Sequence, residues 1–351
     1  MCQAVADALC QYQSIRFITV RNKKLVAIYY LIQFLVLCYV VGYTIIADKG
    51  YQAEDDVNGS TSVKIKGSGA IGKGASLQPL DSMDLVVPSN ELNAFFITTA
   101  ITTTPNQTQT TCNGDEDAPL CTHADTSNCT ETYFSPNAQG IYTGDCGSNG
   151  RCELFTWCPV EDDTVMDVVQ NVGNFTVFVK IDVSFDKFGV KRTNTYDYNG
   201  DGKPEYGLNL FTINEMLQEA TDGQVTDYTD IAETGAIILV ASNWNCNFDN
   251  NINDCNPVFT FERVDDIPDT ISYGFNFRTV TYDVTKKYRL LEKLHGLRVM
   301  FITEGTGRQF DFAALTITLG AGLAYLSIAK VITDLILDNF MGDDSDVYTQ
   351  F

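Results

Sequence analysis

Two long uncharged segments, one near each end of the 351-residue chain, most constrain how it folds. Residues 25–47 and 312–329 contain no Asp, Glu, Lys or Arg. About 18 to 20 consecutive apolar residues suffice for a helix to cross the hydrocarbon core of a bilayer. We therefore predict transmembrane helix 1 over 25–47 and transmembrane helix 2 over 312–337. A signal peptide is the alternative for the first segment, but the segment is too long and no small-residue cleavage site follows it.

The second segment is apolar but not uniformly so. Lys330 and Asp334 lie near its far end, and small or hydroxylated residues recur through it: Thr316, Thr318, Gly320, Ala321, Gly322, Ala324 and Ser327. Small residues let helices approach closely, and charges inside a membrane usually face a partner or a water-filled cavity. A plain anchor would account for an isolated segment of this kind. With a second span present, we predict that 312–337 lines a pore.

Basic residues before the first span set the predicted orientation. Arg16, Arg21, Lys23 and Lys24 precede it, and cytoplasmic flanks carry an excess of Lys and Arg. We therefore predict a cytosolic N-terminus over 1–24, an extracellular domain over 48–311 and a short cytosolic tail over 338–351. The predicted protein is a two-pass membrane protein with both termini in the cytosol.

The predicted extracellular domain is strongly acidic. It contains 18 Lys and Arg against 39 Asp and Glu, a net charge of −21, so it holds nearly all of the chain's charge of −22. Such a field repels nucleic acid and concentrates cations nearby. Its 264 residues are enough for one sizeable core. Nucleic acid is thereby excluded as a partner.

Cysteine usage agrees with an oxidising compartment. Eight of the eleven cysteines lie in 48–311, and an even number there predicts four disulfides. Six of them fall in 112–158, a Gly-, Asn- and Thr-rich insertion with too little apolar sequence for its own core. The eight are Cys112, Cys121, Cys129, Cys146, Cys152, Cys158, Cys246 and Cys255. Predicted N-glycosylation sites are Asn58, Asn106, Asn128 and Asn174.

The pattern between the spans is mostly that of β-strands. Residues 63–66 alternate apolar with basic, which places Lys64 and Lys66 on one face of a half-buried strand, and 175–185 alternate in the same way. Further strands are predicted at 95–97, 237–241, 258–264 and 297–302, and a short helix at 214–220. The prediction is one β-rich domain with a disulfide-stapled insertion.

Two loop motifs resemble ligand sites only in part. Residues 67–73 nearly match a phosphate-binding loop, but Gly74 replaces the Ser or Thr that would bind magnesium, so a flexible turn is the better interpretation. Asp197, Asn199 and Asp201 open a calcium-loop pattern whose twelfth position is Leu208 instead of Glu. A plain turn is again favoured.

The chain contains few residues suited to catalysis. It has two histidines, His123 and His295, and neither belongs to a metalloprotease or hydrolase motif. We therefore predict that the protein is not an enzyme. His123 and Asp125 remain a candidate metal site, because imidazole and carboxylate together can bind zinc, although an exposed loop histidine is the simpler interpretation.

Scattered cations stand out against the acidic background. Lys64 and Lys66 share a strand face, Arg278 follows a Gly-Phe-Asn-Phe run and Lys293 precedes His295. A triphosphate without a phosphate-binding loop needs several Lys or Arg heads and charge-assisted hydrogen bonds. If these cations converge they form an anion site. The alternative is a set of solvated strand faces.

The order of several short motifs between the two spans resembles the P2X family, the ATP-gated ionotropic purinergic receptors. The resemblance runs from about Tyr12 to Phe340. It fits an invertebrate member, since vertebrate members carry ten extracellular cysteines and this chain has eight. The motifs are Tyr12-Gln-Ser14-Ile-Arg16, Lys49-Gly-Tyr-Gln52, Ser62-Val-Lys-Ile-Lys-Gly67, Trp157-Cys-Pro-Val-Glu161, Asn174-Phe-Thr176, Trp244-x-Cys246, Gly274-Phe-Asn-Phe-Arg278, Phe310-Asp311, Gly320-Ala-Gly-Leu-Ala324 and Asp334.

The resemblance implies an extracellular ATP-gated, non-selective channel for Na⁺, K⁺ and Ca²⁺ in the plasma membrane. It implies a homotrimer embedded in lipid, with ATP at the subunit interfaces and Zn²⁺ or Mg²⁺ as potential modulators. The implied ATP-binding residues are Lys64, Lys66, Thr176, Lys180, Asn276, Arg278 and Lys293. The implied gate residues are Ile317, Thr318, Ala321 and Ala324. The implied disulfides are Cys112–Cys158, Cys121–Cys146, Cys129–Cys152 and Cys246–Cys255.

Two departures and two rival interpretations accompany the resemblance. The family's fifth cysteine pair is missing from the region 195–225, and Lys330 stands where the family prefers a small or apolar residue. A two-span trimeric sodium channel of the acid-sensing or epithelial type shares the topology but should have more extracellular cysteines. A membrane-tethered ectonucleotidase should show a carboxylate and histidine metal cluster.

Overall fold

The computed structural model describes residues 23–134, 140–163, 165–195, 202–265 and 274–340. Most of the predicted cytosolic N-terminus, residues 341–351 of the predicted tail and the calcium-loop candidates 197, 199 and 201 lie outside these ranges. The chain forms two compact units. One comprises Met1–Glu54 with Arg308–Phe351, and the other comprises Asp55–Gly307. We refer to them as the helical unit and the β unit.

The described residues contain four α-helices and seventeen strands. The helices are α1 (Lys23–Cys38), α2 (Ser82–Leu85), α3 (Ile213–Ala220) and α4 (Phe312–Phe340), and Tyr39–Ala47 continues α1 as a π-helix. The strands are β1 (Gln52–Asp56), β2 (Asn58–Lys66), β3 (Ser68–Ile71), β4 (Gln78–Asp81), β5 (Ala94–Asn113), β6 (Ile141–Cys146), β7 (Cys152–Cys158), β8 (Asp167–Val168), β9 (Thr176–Phe185), β10 (Val190–Thr193), β11 (Leu210–Thr212), β12 (Ala236–Asn243), β13 (Cys246–Asn247), β14 (Val258–Arg263), β15 (Asn276–Tyr282), β16 (Arg289–Glu304) and β17 (Thr306–Phe310).

The helical unit contains both predicted spans. Lys23–Ala47 and Phe312–Leu337 are each long and apolar enough to cross a membrane. One stripe of α4 packs against the first span: a Cβ on Gly322 would lie 2.6 Å from Val40 Cγ1, and the Tyr39 and Tyr325 rings meet edge to face at 6.4 Å. Glycine is therefore required where the helices cross, as expected for close packing between apolar helices.

A large sheet forms one layer of the β unit. Its strand order is β14-β12-β16-β5-β7-β6, with β15 also pairing with β16 and β8 with β5. β12 and β16 run parallel from Ala236 opposite Leu297, whereas β16 pairs antiparallel with both β5 and β15. The predicted strands at 95–97, 237–241, 258–264 and 297–302 all lie in this sheet. Those predictions are confirmed.

A second sheet contains the two strands with the clearest alternation. Its order is β10-β9-β11, and β2 pairs antiparallel with β9. Alternate residues of β9, from Val177 to Phe185, are buried in the main core, so the β9 prediction is confirmed. The predicted short helix is α3, which begins after Thr212 because Thr212 and Glu215 form a capping box.

The insertion between β5 and β7 is held by covalent bonds around a very small core. Its buried cluster consists of Ala118, Cys129, Tyr142, Cys152 and Leu154. The disulfides join Cys112 to Cys158, Cys121 to Cys146 and Cys129 to Cys152, and a fourth joins Cys246 to Cys255. These are the pairs that the family resemblance implies.

Two buried asparagines organise the lobe that lacks the expected cysteine pair. Asn194 accepts from Ile181 N at 2.8 Å and donates to Val179 O at 2.9 Å. Asn209 donates to Asn194 O at 3.2 Å and accepts from Glu205 N at 2.8 Å. Both side chains are almost fully buried. Satisfied polar networks of this kind specify one arrangement of a loop, so hydrogen bonds hold this lobe to β9.

The remaining loop predictions are simple to place. Residues 67–73 contain β3, which pairs with β4, and only a three-residue 3₁₀ turn, Gly74–Ser76, follows Lys73. A phosphate-binding loop requires a helix N-terminus at this point, so the turn interpretation holds. The four asparagines of the sequons are all exposed, as a glycosylated side chain must be; the glycans themselves stay a prediction.

Candidate functional site

The pairing of β2 with β9 gathers four of the predicted ligand-binding residues on one surface. Lys66 lies opposite Thr176, Lys64 opposite Phe178 and Ser62 opposite Lys180. Residues directly opposite each other in an antiparallel pair point to the same side of the sheet. The intervening Val177 and Val179 point into the core. We call Lys64, Lys66, Thr176 and Lys180 the β2–β9 basic face.

The cations of the β2–β9 basic face differ in their partners. Lys180 forms an ion pair with Asp182 at 3.1 Å, and both side chains are about half exposed, so the pair contributes little to stability. Within the described ranges, Lys64 and Lys66 have no carboxylate partner. Both line a cavity of about 530 Å³ together with Asn90 and Phe95. Two neighbouring ammonium groups facing a cavity favour an anionic ligand.

A second basic surface is built by β15 and β16. Arg278 lies opposite Lys293, and Asn276 lies opposite His295. Phe277, on the other side of β15, packs edge-on against the fully buried Phe96 with ring centroids 4.8 Å apart. This apolar contact fixes the orientation of β15. Because side chains alternate along a strand, Asn276 and Arg278 then point to the side opposite Phe277. We call Asn276, Arg278 and Lys293 the β15–β16 basic face.

Two carboxylates neutralise the cations of the β15–β16 basic face. Arg278 Nε donates to Glu161 Oε2 at 2.6 Å, and Lys293 Nζ donates to Asp163 Oδ2 at 2.6 Å. Lys293 Nζ also lies 3.8 Å from Glu161 Oε1. Burial opposes ionisation of Asp163, but the hydrogen bond and charge of Lys293 outweigh it and lower the Asp163 pKa. The acidic segment after Cys158 thus supplies internal anions to this face.

Sequence reasoning missed the roles of Glu161 and Asp163. The sequence indicates Glu161 only as part of the Trp157-Cys-Pro-Val-Glu161 motif. It lies 117 residues from Arg278 along the chain, and no local pattern indicates such a pairing. The one signal that could indicate such a pairing is the position of an acidic residue shortly after a strand that a disulfide anchors.

Cations of the two basic faces line separate cavities, Arg278 one of them and Lys64 with Lys66 the other. Arg278 lines a cavity of about 620 Å³ with Glu161, Asp163 and Trp157. Arg289 shares this cavity, with its guanidinium 4.7 Å from the centroid of the Trp157 ring. Among the residues that the structure describes, none lines both this cavity and the one beside Lys64 and Lys66. One chain therefore presents two partial sites for an anion.

The predicted gate residues do not all lie on one side of α4. Each residue turns a helix by about 100°, so Ile317, Ala321 and Ala324 fall within roughly 60° of one another. Thr318 lies on the stripe that faces the first span, and its Oγ1 donates to Gly50 O at 2.6 Å. The Thr318 hydroxyl is thus engaged within the helical unit of a single chain, and its place in the gate stays a prediction.

The His123 and Asp125 pair offers a zinc ion two ligands. Both residues are exposed in a tight turn in which Thr122 and Asp125 exchange backbone hydrogen bonds. Hydrogen bonds from Ser127 lower the pKa of Asp125. Among the described residues, the one potential metal-ligating group of three or more consists of Cys121, Cys129 and Cys152, which are all in disulfides. The pair thus falls short of the four ligands of a structural zinc site.

Two apolar spanning helices, a disulfide-stapled β unit and two basic faces define a membrane receptor for a polyanionic ligand. The family model for the ATP P2X receptor matches residues 10–351. The chain is 32% identical over 360 residues to P2X purinoceptor 4 of Bos taurus, covering 96% of this chain and 91% of the relative. It therefore belongs to the P2X receptor family.

Solved structures show the same fold. An invertebrate P2X receptor from the Gulf Coast tick, crystallised with ATP and Zn²⁺, superposes with a TM-score of 0.76 at 30% identity. That match covers 88% of this chain and 99% of the tick chain. The chicken ATP-gated P2X7 receptor channel, with the competitive antagonist TNP-ATP, gives a TM-score of 0.73 at 26% identity and covers 90% and 99%.

Proposed function

We propose that this protein is an extracellular ATP-gated cation channel of the plasma membrane. The observation that carries the proposal is the presence of two separate basic faces on one chain. The relatives support it, since they include purinoceptors and a structure described as an ATP-gated channel. In the proposed topology both termini are cytosolic and residues 48–311 are extracellular. Enzymatic activity forms no part of the proposal.

The proposed ligand site lies between subunits of a homotrimer embedded in lipid. A triphosphate carries about four negative charges and needs several cationic groups to hold it. Lys64 and Lys66 would grip the phosphates from one subunit, while Asn276, Arg278 and Lys293 would do so from its neighbour. Thr176 would contact the adenine, with Lys180 nearby. Because Arg278 lines one cavity of a single chain and Lys64 and Lys66 line another, a boundary between chains is the simplest way to join the two faces.

Binding would proceed by exchange of anions at the β15–β16 basic face. Glu161 and Asp163 hold Arg278 and Lys293 at 2.6 Å, so the phosphates would have to displace these carboxylates. On the β2–β9 basic face the ligand would relieve repulsion between Lys64 and Lys66. A ligand shifts gating only through its differential affinity for two states. ATP would therefore favour the state in which the two faces approach each other.

The proposed pore is lined by the face of α4 that carries Ile317, Ala321 and Ala324. An apolar constriction of this kind closes a pore by excluding water. Closure of the ligand site would reach α4 through β17, which precedes the helix directly in the chain. Modulation by Zn²⁺ at His123 and Asp125 would need a further ligand from a neighbouring subunit.

Replacing Lys66 tests the proposed site. Lys66→Ala removes one charge-assisted phosphate contact, worth about 1.5–3 kcal/mol, so we expect ATP-evoked whole-cell current to be lost or its EC50 to rise at least tenfold. Lys73→Ala, an exposed lysine on the following turn, is the matched control and should behave as wild type. Normal currents in the Lys66 variant at equal surface expression would remove the site assignment.

A further inference from the structure

His295 occupies the fourth corner of the square that the β15–β16 basic face forms. Arg278 lies opposite Lys293 and Asn276 lies opposite His295, with no shift of register between the two pairs. His295 and Lys293 are two residues apart on β16, so their side chains point to the same side of the strand. Three corners of the square are proposed phosphate ligands. The fourth is an imidazole.

The His295 side chain is buried without a hydrogen-bond partner. It is 7% exposed, and neither Nδ1 nor Nε2 has a partner among the described residues. Its neighbour on β5 is Ala100, whose side chain offers no polar group. Thr102, opposite Lys293, also has a buried hydroxyl without a partner within the described part of the chain. A buried polar group in this state is costly.

Charged groups from several elements act on the imidazole. Lys293 on β16 and Arg278 on β15 oppose its protonation, whereas Asp163 and Glu233 favour it. Burial is the largest influence, and the combined effect lowers the His295 pKa below its ordinary value of 6.5. The ring is therefore neutral at physiological pH in this structure. Arg278, Lys293 and Asp163 belong to the ion pairs that a bound polyphosphate would rearrange.

On the basis of the proposed function, we infer that His295 is a positioning residue of the β15–β16 basic face and that it acts by binding a proton. It is neutral while carboxylates hold Arg278 and Lys293, and it takes one proton from solvent when a polyphosphate binds there. The triphosphate brings more negative charge than the carboxylates that it displaces, and the protonated imidazole balances that excess from beneath the ligand. It acts through the field at Arg278 and Lys293 and needs no contact with the phosphates.

The sign of the effect follows from linkage. Because the ligand favours the protonated imidazole, protons must equally favour the ligand. The apparent affinity for ATP therefore rises as the pH falls through the range between the two His295 pKa values, with and without ligand. Each unit by which ATP raises this pKa gives up to a tenfold gain in affinity.

Whole-cell ATP concentration–response curves between pH 8.0 and 6.0 test the inference. In wild type, acidification should lower the EC50 by about threefold to tenfold relative to His295→Gln, which cannot titrate in this range. Lys73→Ala, at an exposed residue outside both basic faces, is the control and should retain the wild-type pH profile. Protonation of ATP itself is common to all three proteins and cancels in the comparison.

Identical pH profiles in wild type and His295→Gln would overturn the inference. If the Gln variant does not reach the cell surface, His295→Tyr preserves bulk and aromaticity and takes its place. Proton uptake is a second measurement: calorimetric titration of the purified trimer with ATP in two buffers of different ionisation enthalpy should show uptake in wild type that both His295 variants lack. Absence of ATP-evoked current at every pH in wild type would refute the proposed function instead.

Discussion

At the scale of single residues, Glu161 decides how the β15–β16 basic face behaves without ligand. Its two oxygens lie 2.6 Å from Arg278 Nε and 3.8 Å from Lys293 Nζ. The face is thus held in shape by an internal carboxylate, which a phosphate of the proposed ligand would have to replace. An internal counter-ion keeps the cations oriented but competes with the ligand.

Neutralising Glu161 should strengthen ATP binding. In Glu161→Gln the amide keeps the shape of the side chain but no longer competes as an anion, so we expect the EC50 for ATP to fall about twofold to fivefold. Partly exposed ion pairs are worth up to about 1 kcal/mol, which sets this range. Glu54→Gln, which removes the charge from the Glu54–Arg308 ion pair, is the control. A higher EC50 at normal surface expression would show that Glu161 serves the bound state.

Strand periodicity predicts that Lys64 and Lys66 share one face, but it predicts neither the β15–β16 basic face nor the counter-ions of its cations. The alternation around Lys64 and Lys66 suffices to place both ammonium groups on one strand face. The pairing of Lys293 with Asp163 depends on how the segment after Cys158 returns across β16, and this path has no local sequence signal. The buried Asn194 network is missed for the same reason: its partners Ile181 and Val179 lie on another strand.

At the scale of elements, α4 has two distinct sides. Thr318, Gly322 and Ala329 lie on the side that packs against the first span, and Ile317 on the other side is largely exposed in the single chain. Small residues occur on both sides of α4, so they do not show in the sequence which side packs against the first span. The hydrogen bond of Thr318 with Gly50 resolves the ambiguity.

Replacing Thr318 should loosen the helical unit. Thr318→Val keeps the shape but removes the hydrogen bond with Gly50, at a cost of about 0.5–1.5 kcal/mol, so the apparent Tm of the purified receptor should fall by a few degrees. Thr316→Val is the matched control, because the Thr316 hydroxyl donates to carbonyls of its own helix, those of Phe312 and Ala313. An equal fall in Tm for both variants would contradict the proposed role of the contact.

Element types were predicted well where one periodicity dominates, and less well elsewhere. β9 follows strict alternation and matched its predicted range closely. β5 extends over 20 residues to Asn113, far beyond the predicted apolar start at 95–97, because its Thr-rich second half pairs with β7. Pairing partners, rather than local hydrophobicity, set the length of such a strand.

At the scale of the whole molecule, mixing subunits tests whether the two basic faces meet across a boundary. Chains carrying Lys66→Ala keep an intact β15–β16 basic face, and chains carrying Arg278→Ala keep an intact β2–β9 basic face. Coexpression should restore ATP binding and current that neither variant shows alone, since every mixed trimer contains one boundary with two intact faces. The measurement is labelled-ATP binding to purified trimers alongside whole-cell recording.

The control for this experiment is a chain that carries both substitutions. Coexpressed with either single variant, it should restore nothing, because no boundary then joins two intact faces. Failure of the single variants to rescue each other, with normal assembly, would place the ligand within one chain.

The separation of the two faces on each subunit also has a genetic consequence. Every chain would serve two neighbouring pockets, offering one face to each. A variant chain damaged on a single face would impair one pocket of the trimer in which it sits, whereas a chain damaged on both would impair two. In a cell with one normal and one faulty allele, random assembly with chains damaged on both faces would then impair a larger fraction of pockets than the fraction of faulty chains, whereas damage to one face would impair an equal fraction.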